Sequence, residues 1–77
     1  MNKQNRRELE ELNEKLEEVR YAIEEMMDEE TEKFDNMPEG LQESERGEAM
    51  QSAIENLESA ASSLEEAIDY INEIVEG

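Results

Sequence analysis

Cysteine, histidine and tryptophan are absent from this sequence of 77 residues. Without cysteine there is no disulfide framework and no thiolate metal site. Without histidine the chain lacks the commonest general base, the commonest transition-metal ligand and the side chain that ordinarily switches charge near neutral pH. Proline occurs once and glycine three times, too few for a linker-rich chain. Bases are scarce as well: seven lysines and arginines stand against 24 acids, for a net charge of −17. That balance disfavours direct contact with nucleic acid or an anionic membrane, and it favours basic partners drawn in by electrostatic steering. No apolar run approaches the length of a membrane span. The opening MNKQNRRELEEL has basic residues with no apolar stretch behind them, which argues against a secretory leader. The expected location is the cytoplasm, and no cofactor is expected.

High charge with few aromatics also describes disordered chains. The apolar residues here are ordered, however. In the second half they fall at Met50, Ile54, Leu57, Ala61, Leu64, Ile68, Ile71 and Val75, with spacings that alternate between four and three. This is a sustained heptad pattern. The same segment reads as a repeat, AIENLES, AASSLEE, AIDYINE and IVEG, which adds a third column at Ala53, Ala60, Ala67 and Ile74. Three columns are more than one partner helix covers, and they suit a bundle. The first half follows the same grammar at Leu9, Leu12, Leu16, Val19, Ile23 and Met26. Its stripe then drifts to Met27 and Phe34, as a helix of 3.6 residues per turn drifts from a strict heptad.

Between the halves stands FDNMPEGLQESERGEA, residues 34 to 49. Pro38 and Gly40 break a helix, and Asp35 and Asn36 suit its end. Ser44 is a good N-cap, with Glu45 and Glu48 in the first turn that follows. Leu41 is expected to tuck under the turn against Phe34 and Met50. The reading is all-α and a single domain over residues 1–77. A first helix runs from about 5 to 35, a connector from about 36 to 44 and a second helix from about 45 to 76. They form an antiparallel two-helix hairpin on the order of 45 Å long. The apolar surface left open on the second helix predicts a homodimer that completes a four-helix bundle. The two stripes supply the residues for the hairpin core and for that dimer.

Catalytic chemistry finds little support. Glu10, Glu11, Glu17, Glu18, Glu24 and Glu25 are expected on the outermost columns of the first helix, a convex solvated face without the cleft that a catalytic carboxylate pair needs. A twelve-residue calcium loop begun at Asp35 puts Gly40 correctly at its sixth position. Met37 and Arg46 then fall at the third and twelfth, where ligands are required. A di-metal carboxylate bundle needs Glu-x-x-His. The methionines Met26, Met27 and Met50 read as core at this spacing rather than as an adaptable binding face. Tyr21 and Tyr70 fall at outward positions.

The acids themselves are patterned unusually. Glu11–Lys15 and Glu29–Lys33 are favourable i,i+4 pairs, but Glu10–Glu14, Glu14–Glu18, Glu24–Asp28, Glu25–Glu29 and Asp28–Glu32 are repulsive, each costing a few tenths of a kcal/mol. After Arg46 there is no base at all, against eight acids from Glu48 to Glu76. Duplex DNA carries one charge per roughly 1.7 Å, and 24 acids over about 45 Å give about one per 1.9 Å. The carboxylates expected to meet a basic partner are Glu17, Glu18, Glu24, Glu25, Asp28, Glu29, Glu32 and Asp35 in the first helix. In the second they are Glu55, Glu58, Glu65, Glu66 and Asp69.

The segment FDNMPEGLQESERGEAMQSAIENLESA resembles an uncharacterised family of small acidic helical proteins from bacteriophages and mobile elements of Gram-positive bacteria. The likeness runs best from Asp28 to Glu76, and Pro38-Glu39-Gly40-Leu41-Gln42 with Ser44-Glu45-Arg46-Gly47-Glu48 carries it most specifically. It implies action in a phage-infected host, where small acidic proteins are frequently inhibitors of nucleases, restriction systems or CRISPR effectors. It supplies no catalytic residue. Arg46 and Gly47 exceed what a bare turn needs. Gly47 is poor inside a first helical turn and offers close approach to another chain, while Arg46 is placed to pair with Asp35 or Glu39. Both are therefore candidate contact residues. The expected function is a non-enzymatic, DNA-mimic-like inhibitor or modulator of a basic nucleic-acid-binding or defence protein. The competing expectation is a structural or adaptor module that binds a protein, or itself, through its apolar face.

Overall fold

In the computed structural model, which describes residues 1–77, the chain forms α1 (Lys3–Asp35), α2 (Glu39–Gln42) and α3 (Glu45–Glu76) and no strand. α1 and α3 lie side by side in opposite directions as a rod measuring 57 × 14 × 13 Å. α1 starts two residues earlier than the spacing predicted, because the Asn2 side chain accepts the Asn5 N–H at 2.7 Å and so caps the helix.

The connector is more structured than a plain loop. The Asn36 and Met37 N–H groups donate to the Glu32 and Phe34 carbonyls at 3.0 and 3.1 Å and close α1. Pro38, at φ −57°, starts the single turn of α2. The Gln42 side-chain amide reaches back to the Phe34 carbonyl at 2.8 Å, tying the connector to the end of α1. The Ser44 hydroxyl donates to the Leu41 carbonyl and accepts the Gly47 N–H at 3.3 Å, so the expected cap of α3 is formed. Leu41 does not close the core as expected. It stays 49% exposed, and Gln42 takes the inward position instead.

On α3 the seam follows the predicted stripe. Ile68 and Ala61 are buried, and Met50, Ile54, Leu57, Leu64, Ile71 and Val75 are half-buried. On α1 the phase differs. The residues turned toward α3 are Leu9, Asn13, Leu16, Arg20, Ile23, Met27, Glu30 and Phe34, again three and four apart. If these are labelled as the a and d positions of a heptad, Asn13, Arg20, Met27 and Phe34 form one column, and Leu9, Leu16, Ile23 and Glu30 form the other. Leu12, Val19 and Met26 sit in the neighbouring g column and remain 50, 48 and 55% exposed. They are therefore not part of the seam between α1 and α3. The apparent drift after Met26 is the seam itself: Met27 and Phe34 are in phase with its whole length.

The seam is thin. No large side chain is fully buried. Polar residues occupy part of it, and one of them, Asn13, bonds across it and so restricts how the helices can slide. The Asn13 side-chain amide donates to Asn72 Oδ1 at 2.9 Å and to the Ile68 carbonyl at 3.5 Å. Arg20 bonds Glu24 at 3.2 Å, and its guanidinium lies 4.9 Å from the centre of the Tyr21 ring. The only other ion pair joins Lys33 to Glu30 at 3.4 Å. Neither expected i,i+4 pair, Glu11–Lys15 nor Glu29–Lys33, is closed.

Candidate functional site

An antiparallel pair of helices has two unequal sides. The e columns of both helices flank the seam on one side, and the g columns flank it on the other. In α1 the e column holds Glu10, Glu17, Glu24 and Thr31, and in α3 it holds Gln51, Glu58, Glu65 and Asn72. Two shallow clefts open there. One, of about 270 Å³, is lined by Glu24, Asp28, Glu58 and Glu65, with Met27, Ala61 and Ser62 at its floor. The other, of about 300 Å³, is lined by Glu10, Glu14 and Glu17 with Asn13 and Asn72. Here carboxylates of both helices converge across the seam. Glu10, Glu17 and Glu24 stand one column nearer the seam than the outermost position expected for them, which is the same phase difference seen in the core.

The other predicted contact carboxylates are exposed but dispersed. Glu18, Glu25 and Glu32 form the outer ridge of α1, with Glu29 beside them, and Asp28 and Asp35 lie between that ridge and the e column. On α3, Glu55 and Asp69 border the e column, and Glu66 lies on the outer ridge. The acids wrap most of the rod instead of sharing one face. Their linear density is also lower than expected, because 24 acids along 57 Å give about one per 2.4 Å. Only Glu24 and Glu30 are engaged in ion pairs, so the remaining carboxylates are free to meet cations from outside. No group of three or more acids is placed to hold a metal ion.

Gly47 packs against the chain's own connector. It is buried, and a Cβ built on it would stand 2.5 Å from the Leu41 carbonyl oxygen and against the backbone of Gln42. The close approach that glycine permits is made by the chain's own connector. Arg46 is exposed and pairs with neither Asp35 nor Glu39. With Lys33 it rims an apolar hollow of about 330 Å³ over Met37, Leu41 and Met50 at the turn end of the rod. This corner was missed from the sequence, since Lys33 and Arg46 come together only once the connector folds. Tyr21 and Tyr70 are 58 and 68% exposed, as their outward positions required.

The g side differs in kind. Its columns hold Asn5, Leu12, Val19, Met26 and Lys33 on α1, and Arg46, Ala53, Ala60, Ala67 and Ile74 on α3. None is acidic. The alanine column read from the repeat and the displaced leucine, valine and methionine column of α1 thus border the same side of the seam. No helix of the chain is long and apolar enough to cross a membrane. Comparison with protein-family models, curated proteins and solved structures finds no match to this chain.

Proposed function

We propose that the chain is a non-enzymatic acidic binding protein that engages a basic, nucleic-acid-binding protein by standing in for a polyphosphate backbone. The observation that carries this reading is the carboxylate array: 24 acids on a straight rod 57 Å long, only two of them in ion pairs, with acids of both helices gathered across the seam at Glu24, Glu58 and Glu65. Carboxylates so placed compete with phosphates for lysine and arginine on a partner, and their number makes the binding steeply dependent on salt. The resemblance to small phage-borne acidic proteins gives the setting: an inhibitor or modulator of a host nuclease or defence protein, acting in the bacterial cytoplasm. The working body is a homodimer, two hairpins forming a four-helix bundle, because the hairpin alone leaves Leu12, Val19, Met26 and Ile74 uncovered.

A second reading is favoured by one observation. Leu12, Val19, Met26 and Ile74 are 50, 48, 55 and 44% exposed along one side, as an adaptor that docks by an apolar face would require. One experiment separates the two. The protein is immobilised, exposed to a nuclease-treated lysate of a Gram-positive bacterium and eluted with a salt gradient. Retention of a basic nucleic-acid enzyme that duplex DNA displaces supports the acidic reading. Recovery of a partner indifferent to salt supports the adaptor.

A further inference from the structure

We infer that the g side of the rod is the face on which a second copy of this chain seats, and that the resulting dimer carries its two acidic sides outward, back to back. The inference gives a location and a valence to the dimer of the proposed function and rests on that reading. Three observations lead to it.

The first is charge. A second copy also carries −17, so two copies can meet only where acids are missing. Acids make up 24 of 77 residues; in the two long helices they occupy the b, c, e and f columns and, at Glu30, the d column, yet the ten g positions hold none. The adjoining c column of α3, formed by Ala49, Asn56, Ser63 and Tyr70, is free of acids as well. A solvated face of this protein would carry its share of glutamate, as the e columns and the outer ridges do.

The second is shape. The side chains of Leu12, Val19 and Met26 project from α1, and the g column of α3 beside them is Ala53, Ala60 and Ala67. Large residues next to small ones leave a ridge and a shallow trough. A second hairpin with the same ridge and trough packs against it with helix backbones brought close. This self-complementarity is what an isologous interface requires.

The third is area. One face of a rod 57 Å by 14 Å covers on the order of 800 Å², the amount each partner contributes to a stable interface of ordinary size. The hairpin by itself buries no large side chain completely, and covering this face would bury Leu12, Val19, Met26 and Ile74 together.

With the g sides in contact, the e sides of the two copies point in opposite directions. Glu10, Glu17, Glu24, Glu58 and Glu65 stay in water, and each dimer offers two equivalent carboxylate surfaces. The test is sedimentation equilibrium on the full chain at micromolar concentration, with helicity followed by circular dichroism. Wild type is expected at twice the 9.0 kDa of one chain. Val19→Glu with Ala60→Glu is expected to sediment as a single chain with helicity retained, because both positions lie outside the α1–α3 seam. Glu17→Gln with Glu58→Gln, on the opposite side, is expected to leave the dimer intact. A monomeric wild type, a Val19→Glu, Ala60→Glu variant that remains dimeric, or dissociation by the glutamine pair instead would each overturn the inference. Titration of the wild-type dimer with a lysine-rich peptide by calorimetry then reads the valence. One peptide per chain is expected, and one per dimer would overturn the back-to-back arrangement. Sedimentation uses no basic ligand, so the dimer stands or falls independently of the acidic binding reading.

Discussion

Asn13 donates its side-chain amide to Asn72 Oδ1 at 2.9 Å, joining the first third of α1 to the last turns of α3 across the seam. Asn13 is 9% exposed, and its own carbonyl oxygen has no partner. A half-satisfied buried amide costs stability, while the bonds its N–H groups make across the seam form in only one register of the two helices. We therefore expect Asn13→Leu to stabilise the fold by about 1 kcal/mol, which in a domain of this size raises the melting temperature by roughly 4–8 °C. Thermal unfolding followed by circular dichroism checks this. A fall in melting temperature would show that the amide pair is a net stabiliser.

Gly40 in α2 and Gly47 in the first turn of α3 predict opposite signs for one substitution. A Cβ at Gly47 meets the Leu41 and Gln42 carbonyl groups, which are backbone and cannot turn aside, whereas a Cβ at Gly40 has nothing within 4 Å. Alanine is the better helix former by about 1 kcal/mol. At Gly40 that gain is expected to appear nearly in full. At Gly47 the overlap is expected to outweigh it and leave a net loss of about 1–3 kcal/mol. Chemical denaturation of the two variants measures both, and stabilisation by Gly47→Ala would mean that the connector moves away easily.

The e side predicts a response to charge. Glu24 faces Glu58 and Glu65 round one cleft with no base among its lining residues. Glu58→Lys replaces repulsion with attraction at an exposed position and is expected to stabilise by about 0.5 kcal/mol. For the same reason the wild type is expected to melt higher as sodium chloride is added, because salt screens the self-repulsion of a chain with net charge −17. The Glu58→Lys variant should show the smaller salt effect. An equal effect in both would place the repulsion elsewhere on the rod.

The two helices and the whole α3 stripe were legible because apolar residues alone mark them, and the cap at Ser44 was legible from a serine followed by Glu45 and Glu48. The seam of α1 was harder to read. Its a column is Asn13, Arg20, Met27 and Phe34, and a search for apolar spacing passes over the first two. Leu12, Val19 and Met26 offered an equally regular spacing one column away. Counting back from Phe34 and Met27 in threes and fours would have found the true phase. The same slip of one column moved Glu10, Glu17 and Glu24 from the outer ridge to the edge of the seam. Gly47 was legible as unusual, but its cause, the carbonyl groups of Leu41 and Gln42, exists only after the single turn of α2 has formed. The corner of Lys33 and Arg46 likewise depends on a fold between residues distant in sequence.

Two isoleucines on α3 separate the core from the g side. Ile68 is 4% exposed in the a column, and Ile74 is 44% exposed in the g column. Both are truncated to alanine with the same gain of a few tenths of a kcal/mol in helix propensity, so the difference between them reports burial. Ile68→Ala is expected to lose about 2–4 kcal/mol, enough to unfold much of so small a protein. In dilute solution Ile74→Ala is expected to lose under about 1 kcal/mol, since a half-exposed side chain forfeits little burial. As protein concentration rises, the deficit of Ile74→Ala relative to wild type should grow, because wild type then gains from the covered g side and the variant gains less. The deficit of Ile68→Ala should stay constant, as its contacts lie within one chain. Unfolding of all three proteins over a hundredfold range of concentration provides the comparison. A concentration-independent Ile74→Ala deficit would leave the hairpin, and not its dimer, as the unit that folds.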